Sequence, residues 1–554
     1  MIDEFARHQT IDLLGFYRRR FYRIVPPLVF MLLLVTPFTL LVRRDFVAGL
    51  SGQIAASLGF MTNFYEILSG GNYESQFIPH LFVHTWSLAL EMHYYILWGL
   101  LVWFLAKKSK HIGQLRGHIF LISIGLALLS FLSMFIGAFF TKNYSNLYFS
   151  SWHHLFPFFL GSSLATISGV ANVGTAAKQV QQWTRVKVLQ LLVGSASLLF
   201  LLGLVLRFDH LFTYLAGFLL SSLLTCLMIL ATRCLHDQTQ VQEPKVITFL
   251  ADTSYGVYLF HWPFYIIFSQ LLSNSWAVVL TLLFSFTFAA FSYYLLEPSL
   301  QGREPIVFGQ KMDVSSLVKP AYYAGAILTT IMLLLMLTAP KVGTFEQSLI
   351  TEGLKQADQK MTLTRQKADQ SMASQYNVSK GTSLIGDSVA LRANDFLQEA
   401  ISDIQVDASV SRNLETGLKV YQADIKNKIL LQNVVLALGA NAINNYQEVL
   451  DEIVETLPKG HRLILITPYD GRMIGDKSSP VVKTREYELE LAKKYEFVTV
   501  ADWYKIAQEH PEIWSGTDHV HFGADTDTIS QGGNLYAETL KAALDEAEKG
   551  SVKP

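Results

Sequence analysis

The chain has 554 residues, of which 51% are apolar and only 16% are charged, and its formal net charge is −1. This length exceeds what one globular core accommodates, so the sequence predicts at least two domains. The near-neutral charge argues neither for nor against nucleic acid as a partner, and no basic aromatic patch suggests one. The two cysteines, Cys226 and Cys234, lie in and just after an apolar run, which predicts neither a disulfide nor a metal site.

The N-terminal part begins with a short polar segment that leads into a basic cluster. Arg18, Arg19, Arg20 and Arg23 directly precede the apolar stretch 24–42. Such a cluster is typical of the cytoplasmic end of a membrane span. Arginines at this position can also bind the phosphates of a cytosolic donor. The pattern alone leaves both interpretations open.

Apolar runs of about 20 residues, long enough to cross a bilayer, recur up to residue 340. They lie at 24–42, 85–106, 119–140, 152–167, 188–206, 211–231, 255–272, 276–296 and 322–339. Counting the weaker run 46–64 as a span would put the basic loop 107–116 outside, against the positive-inside rule. We therefore expect nine membrane spans, with 46–64 re-entrant or interfacial. An odd number of spans places everything after residue 340 outside the cell.

Two ionisable side chains lie within these predicted spans, where a charge is costly unless it is paired or hydrated. Glu91 lies near the start of the second run, and His261 directly precedes a Trp-Pro pair in the seventh. Their depth makes both of them candidate functional residues. The alternatives are that Glu91 reaches the interface and that His261 only makes a hydrogen bond between packed helices.

The membrane half carries several short motifs in a fixed order. They are Phe16-Tyr17-Arg18-Arg19-Arg20, Trp86-Ser87-Leu88 with Glu91 and Tyr94-Tyr95, Tyr255-Gly256 with His261-Trp262-Pro263, and Leu296-Glu297-Pro298. In this order they resemble the acyltransferase-3 family of integral-membrane enzymes. The resemblance implies acyl transfer from a cytosolic acyl-CoA, with roles for Arg19, Arg20, Arg23 and Glu91. Family members usually begin with two earlier helices that hold an Arg and a His, so we expect this N-terminus to be short for the family.

After residue 340 the composition becomes that of a water-soluble protein. Residues 341–380 are polar and rich in Gln, Lys, Ser, Thr and Ala, which predicts an extracytoplasmic linker. Strands are then expected at 382–386, 404–407, 434–438, 463–467 and 498–501, and helices at 389–400, 415–426, 442–457, 484–494 and 535–547. This alternation predicts a parallel sheet covered on both faces, that is, a three-layer α/β domain over 381–554.

Three polar residues directly follow successive strands of this predicted sheet. Ser388 follows the first strand, Ser411 the second and Asn441 the third. Because the carboxyl ends of parallel strands share one edge, we expect these residues to lie close together. Ser388 is then a candidate nucleophile at a helix N-terminus. A serine at this position can also be no more than an N-cap.

Asp518 and His521 lie three residues apart near the C-terminus. One turn of chain can direct the carboxylate to Nδ1 of the imidazole and leave Nε2 facing a serine. The sequence therefore predicts a Ser-His-Asp group suited to acyl transfer, built from Ser388, His521 and Asp518.

Three blocks of the C-terminal domain occur in a recognisable order. They are Gly386-Asp387-Ser388, Gly439-Ala440-Asn441 and Asp518-His519-Val520-His521. In this order they resemble the SGNH/GDSL hydrolase superfamily, which implies a flavodoxin-like sheet and an oxyanion-hole role for Asn441. Val410-Ser411-Arg412 stands where the superfamily usually has a Gly, so the backbone N–H of Ser411 is the expected second donor.

An acyltransferase-3 membrane part joined to an outer SGNH domain resembles the bacterial O-acetyltransferases of the cell envelope. The resemblance implies acetyl-CoA as donor, no bound cofactor and no metal. It also implies the C6 hydroxyl of peptidoglycan N-acetylmuramic acid as acceptor, a modification associated with lysozyme resistance. Two alternatives stay open. One is a membrane-anchored SGNH esterase of an envelope polysaccharide, and the other is a transporter or sensor whose outer domain only binds glycan.

Overall fold

The chain forms two compact units, Met1–Lys341 and Val342–Pro554. The computed structural model describes residues 1–42, 44–68, 80–141, 144–168, 183–208, 210–239, 243–307, 310–341, 343, 347, 351, 353, 378–441 and 443–554. The predicted linker 341–380 lies mostly outside the described residues.

The first unit is built almost entirely from α-helices. They span Ile2–His8, Leu13–Phe38, Leu50–Leu58, Thr62–Leu68, Trp86–Lys108, Ile112–Phe140, Ser145–Phe149, Phe156–Ser168, Arg185–Val205, Phe218–Thr239, Lys245–Leu271, Asn274–Phe291, Glu297–Leu300 and Ser315–Thr338. A short antiparallel pair, Ile306–Val307 with Gln310–Lys311, precedes the last helix.

Seven helices in the described part of the chain are long and apolar enough to cross a membrane. The two other predicted spans correspond to the helices Phe156–Ser168 and Lys245–Leu271. The first has only 13 residues, so at about 1.5 Å per residue it falls short of a hydrocarbon core of about 30 Å. The second has 27 residues but includes polar side chains such as Asp252. The weak run 46–64 contributes to two short helices, Leu50–Leu58 and Thr62–Leu68, each too short to span.

Helices Lys245–Leu271 and Asn274–Phe291 approach each other closely. A Cβ built on Gly256 would lie 2.6 Å from the Cβ of Ala289, so only glycine fits at this contact. Further along the same interface the rings of Phe260 and Phe264 each lie 5.8 Å from that of Phe288. Small residues that let two backbones approach are a common basis of helix packing in membranes. The glycine of the Tyr-Gly motif therefore has a packing role.

Replacing Gly256 with valine should lower the thermal stability of the purified protein, because the added atoms would overlap Ala289. Overpacking of this kind typically costs about 1–3 kcal/mol. Valine at Gly194, where nothing lies within 4 Å of the added Cβ, is the matched control. Thermal unfolding in detergent measures both variants, and equal midpoints would contradict the packing role.

The second unit is a three-layer α/β domain, as the sequence predicts. Among its described residues five strands form one parallel sheet in the order β2-β1-β3-β4-β5: β1 (Thr382–Gly386), β2 (Ile404–Ala408), β3 (Asn433–Ala437), β4 (Arg462–Ile466) and β5 (Val498–Ala501). Its helices are Ser388–Arg392, Asn394–Ala400, Leu414–Asn427, Tyr446–Thr456, Pro480–Lys494, Trp503–Glu509 and Thr526–Ala547. This strand order is that of a flavodoxin-like sheet. The chain adds β2 on one side of β1 and β3 to β5 on the other, so the order of the strands reverses beside β1.

Strand β1 is an interior strand that pairs with β2 on one side and β3 on the other, and all five of its residues are buried. Its last residue, Gly386, is in register with Ala408 at the end of β2 and with Ala437 at the end of β3. The segments that follow these three strands therefore leave the sheet at the same level of one edge. Ligands of such sheets bind at this edge, outside the carboxyl ends of the strands.

Candidate active site

Ser388 lies at the tight turn from β1 into helix Ser388–Arg392. The helix is capped by Asp387, whose carboxylate accepts a hydrogen bond of 2.9 Å from the Val389 N–H. The turn requires Gly386, because a Cβ there would lie 2.4 Å from the Cβ of Ala390. Since Asp387 acts as the N-cap, the Ser388 hydroxyl is left to make a different contact.

The structure brings the three predicted catalytic side chains into one chain of hydrogen bonds. The Oγ atom of Ser388 lies 2.7 Å from Nε2 of His521. Nδ1 of the same imidazole lies 2.8 Å from Oδ2 of Asp518. Ser388 and His521 are both buried. This is the geometry in which an imidazole can take a proton from a serine while a carboxylate fixes its tautomer.

Asp518 is held by its own loop as well as by the imidazole. Its Oδ1 atom accepts hydrogen bonds from the backbone N–H groups of Val520 at 3.0 Å and His521 at 2.8 Å. Burial raises the pKa of Asp518, but the charge of His521 and the hydrogen bonds from His521 and Val520 outweigh it. The pKa is therefore held well below its usual range, and the carboxylate stays ionised beside the imidazole.

Asp387, the other carboxyl group beside the nucleophile, has the opposite tendency. Burial raises its pKa to about 6, although the Val389 and Ala440 N–H groups and the charge of His521 lower it. The Ala440 N–H donates to Oδ2 of Asp387 at 3.3 Å. Both carboxyl groups near Ser388 receive N–H donors and the charge of His521, but their pKa values are shifted in opposite directions, because burial dominates at Asp387 and the favourable contacts dominate at Asp518.

The raised pKa of Asp387 predicts a pH dependence of stability. Between about pH 4 and pH 6 the folded state binds more protons than the unfolded chain, so stability should fall as pH rises through this window. A shift of about two units corresponds to roughly 3 kcal/mol. Asp387→Asn should flatten this slope, and Asp545→Asn, a change at an exposed position, should not. Denaturant unfolding across the window measures both, and an unchanged slope in Asp387→Asn would contradict the assignment.

Arg412 joins the three segments that follow β1, β2 and β3. Its Nη1 atom donates to the Gly386 carbonyl at 3.2 Å and to the Asp407 carbonyl, and its Nη2 atom donates to Oδ1 of Asp407 at 2.8 Å. Its own carbonyl accepts a hydrogen bond of 3.1 Å from the side-chain amide of Asn441. Ser411, the residue before it, is exposed and has a φ of 59°, a left-handed turn conformation.

The sequence offered little to single out Arg412 or the capping role of Asp387. The only signal for Arg412 is its place beside the position where the superfamily usually has a glycine. Asp407 lies only five residues before Arg412, but the contacts with Gly386 and Asn441 join different strands and therefore depend on the sheet register.

A separate cleft of about 890 Å³ lies in the first unit, at the start of helix Leu13–Phe38. Its lining residues are Asp12, Gly15, Arg18, Arg19, Tyr22, Arg23, Tyr293, Tyr294, Glu297, Pro298, Leu300, Gln301, Arg303, Glu304 and Ile306. Arg23 is paired with Glu297 at 3.5 Å and lies 5.1 Å from the centre of the Tyr293 ring. The cleft thus combines several guanidinium groups with tyrosine rings, at a volume typical of ligand pockets.

The predicted residues Arg20 and Glu91 meet through Tyr95. The guanidinium carbon of Arg20 lies 5.1 Å from the ring centres of both Phe16 and Tyr95, and the Tyr95 hydroxyl donates to the Glu91 carboxylate. Glu91 therefore has a polar partner within the first unit.

His261 has surroundings of a different kind. Its Nδ1 atom lies 2.7 Å from the carbonyl of Tyr258 on its own helix, and its ring lies 5.8 Å from that of His84. The side chain is exposed. The contacts of His261 thus tie it to its own helix and to His84, whereas Arg20, Arg23 and Glu91 have partners around the start of helix Leu13–Phe38.

No group of three or more His, Cys, Asp or Glu side chains is arranged to hold a metal ion in the part of the chain that the structure describes.

Comparisons with known proteins cover both units. A family model described as an acyltransferase domain matches residues 6–296. The chain is 24% identical over 548 residues to the O-acetyltransferase OatA of Staphylococcus aureus (strain NCTC 8325), covering 94% of this chain and 85% of that protein.

Two solved structures are each similar to about a third of the chain. The C-terminal catalytic domain of the Streptococcus pneumoniae peptidoglycan O-acetyltransferase A, solved with a methylsulfonyl adduct, is 46% identical and covers 32% of this chain and 98% of that one, with a TM-score of 0.31. A lipase/acylhydrolase from Enterococcus faecalis is 18% identical and covers 32% of this chain and 100% of that one, with a TM-score of 0.24.

Proposed function

Since the match over residues 6–296 shows that the chain belongs to the acyltransferase family, we propose that it is a membrane O-acetyltransferase of the cell envelope. The donor is cytosolic acetyl-CoA, and the acceptor is a hydroxyl of a cell-wall glycan, the C6 hydroxyl of peptidoglycan N-acetylmuramic acid. The observation that carries the proposal is the hydrogen-bonded series from Ser388 through His521 to Asp518. The O-acetyltransferase named among the relatives supports the same reaction class.

In the first half of the reaction Ser388 is acetylated. Its Oγ atom attacks the carbonyl carbon of the delivered acetyl group while Nε2 of His521, 2.7 Å away, takes the hydroxyl proton. The bond from the acetyl carbon to the leaving group breaks, and the imidazolium returns the proton to that group. The N–H groups of Ser388 and Ser411 and the Asn441 amide stabilise the oxyanion, where loss of one donor typically costs about 3 kcal/mol.

In the second half the sugar hydroxyl takes the acetyl group from the serine. His521 accepts the proton of that hydroxyl, the sugar oxygen attacks the acetyl carbon, and Ser388 leaves with the proton returned by the imidazolium. Asp518 fixes the tautomer through its 2.8 Å contact with Nδ1 and stabilises the imidazolium in both halves.

The cleft of the first unit is proposed to bind the donor. Arg18, Arg19, Arg23 and Arg303 line it, and planar guanidinium groups form paired hydrogen bonds with phosphates. Arg20 and Glu91, which both contact Tyr95, are proposed to assist acyl transfer from this donor. His261 stays a candidate functional residue, and its contacts are with Tyr258 and His84. The distribution of basic residues between the spans supports a cytosolic cleft and an extracytoplasmic C-terminal domain.

Ser388→Ala should abolish glycan acetylation by the full-length protein in vesicles supplied with acetyl-CoA and peptidoglycan fragments. We expect a loss of at least about 10³-fold, because the nucleophile itself is removed. Ser551→Ala, at an exposed position near the C-terminus, is the control. Mass analysis of the fragments measures the product. Full acetylation by Ser388→Ala would exclude the serine mechanism, and a parent protein that releases only acetate would be an esterase.

Arg303→Ala should raise the KM for acetyl-CoA by roughly 10- to 100-fold, the size expected for one charged hydrogen bond to phosphate. Hydrolysis of a small soluble acetyl ester, which bypasses the cleft, should keep its rate. Arg207→Ala, whose side chain does not line the cleft, is the matched arginine control. Initial rates against acetyl-CoA concentration test the assignment, which an unchanged KM in Arg303→Ala would overturn.

A further inference from the structure

Arg392 connects the nucleophile helix to the loop that carries the base. It is the last residue of helix Ser388–Arg392, four residues after Ser388, and residues four apart lie on the same face of a helix. Its Nε atom donates to the Phe522 carbonyl at 2.8 Å, and its Nη2 atom donates to the Gly523 carbonyl at 2.8 Å. These are the two carbonyls that directly follow His521.

The guanidinium group suits this contact for two reasons. Burial lowers the pKa of Arg392 to about 10, and the Asp518 charge raises it, so the group stays charged at neutral pH. Its planar fork can reach two neighbouring carbonyls at once, whereas a lysine ammonium presents a compact point charge. Hydrogen bonds from a charged donor are stronger than those between neutral groups.

The loop that carries the base His521 also contacts the domain core through Phe522 and Gly523. The N–H of Gly523 donates to the Ile513 carbonyl at 2.8 Å, and Gly523 has a φ of 77°, which favours glycine. A Cβ at Gly523 would lie 2.5 Å from the backbone of Ile529. The ring of Phe522 is buried and lies 6.0 Å from that of Trp503. The loop is therefore held by its packing against the domain core and by the hydrogen bonds from Arg392.

We propose that Arg392 is a positioning residue that sets the distance between Oγ of Ser388 and Nε2 of His521. The inference rests on the proposed function, in which these two atoms exchange a proton. Asp518 and His521 belong to one loop and keep their mutual contact when Arg392 is lost. The pair as a whole then shifts relative to the serine, and a displacement of about 1 Å can cost roughly 10²-fold in rate.

The test is the rate at which methanesulfonyl fluoride modifies Ser388 in the full-length protein. In this reaction Oγ attacks sulfur, the S–O bond forms as the S–F bond breaks, fluoride leaves, and His521 takes the proton. Arg392→Ala should react about 10²-fold more slowly, and Arg392→Lys should fall between it and the parent. Arg462 is the first residue of β4, at the end of the sheet away from the site. Arg462→Ala should therefore react like the parent.

Two further measurements separate positioning from a general loss of structure. Millimolar guanidinium ion should partly restore Arg392→Ala, whereas ammonium at the same concentration should not. In Arg392→Lys, which keeps the positive charge beside Asp518, the midpoint of the pH–rate profile should match that of the parent while its plateau is lower.

The outcomes distinguish this inference from the proposed function. A parent protein that is not modified at Ser388 overturns both. If the parent reacts, three results overturn the role of Arg392 alone: an equal rate in Arg392→Ala, no restoration of that variant by guanidinium, or a shifted pH midpoint in Arg392→Lys. If Arg392→Ala does not fold, a parent-like rate in Arg392→Lys overturns that role.

Discussion

The register of three parallel strands determines the geometry of the whole site. Gly386, Ala408 and Ala437 end β1, β2 and β3 at one level. Because all three are small, the segments that follow can turn toward one another without collision. The Ser409 N–H then donates to the Gly386 carbonyl at 3.1 Å, and the Asp387 N–H donates to the Ala437 carbonyl at 2.9 Å. A slip of one residue in this register would break the contacts of Arg412 with the Gly386 carbonyl and with the Asn441 amide.

Charge is distributed unevenly around the imidazole. Asp518 is stabilised as an anion by hydrogen bonds and by its partner, whereas burial disfavours the anion of Asp387. Asp518, which contacts Nδ1 directly, both orients the imidazole and stabilises an imidazolium formed during proton transfer. The second carboxyl group contributes structure, because it caps the nucleophile helix and accepts the Ala440 N–H.

Much of the α/β domain is readable from the sequence, because its strands are short apolar runs bounded by turn residues. The bounds predicted for β1 and β5 agree with the structure, and those for β3 and β4 differ by one residue. The helix expected over 389–400 is instead two helices, Ser388–Arg392 and Asn394–Ala400. Helix Trp503–Glu509 was not predicted, since its seven residues are too few to show a periodic pattern.

The site was only partly predictable, for a physical reason. Ser388, Asp518 and His521 follow from motif order and local spacing, which a single chain displays. The contact of Arg412 with the Gly386 carbonyl and that of Asp387 with the Ala440 N–H depend on which strands become neighbours, and one sequence does not display that. In the first unit, charge patterning indicates the arginine-rich start of helix Leu13–Phe38, but the partner of Arg23, Glu297, lies far along the chain.

The hydrogen bonds of Asp518 to the backbone of its own loop have a consequence for assembly. A three-membered catalytic group ordinarily requires three parts of a fold to be aligned in space. Here the acid and the imidazole are preassembled within four consecutive residues. Folding therefore has to align only two parts, the turn that carries Ser388 and the loop that carries Asp518 and His521. The chain loses conformational entropy for one such alignment instead of two.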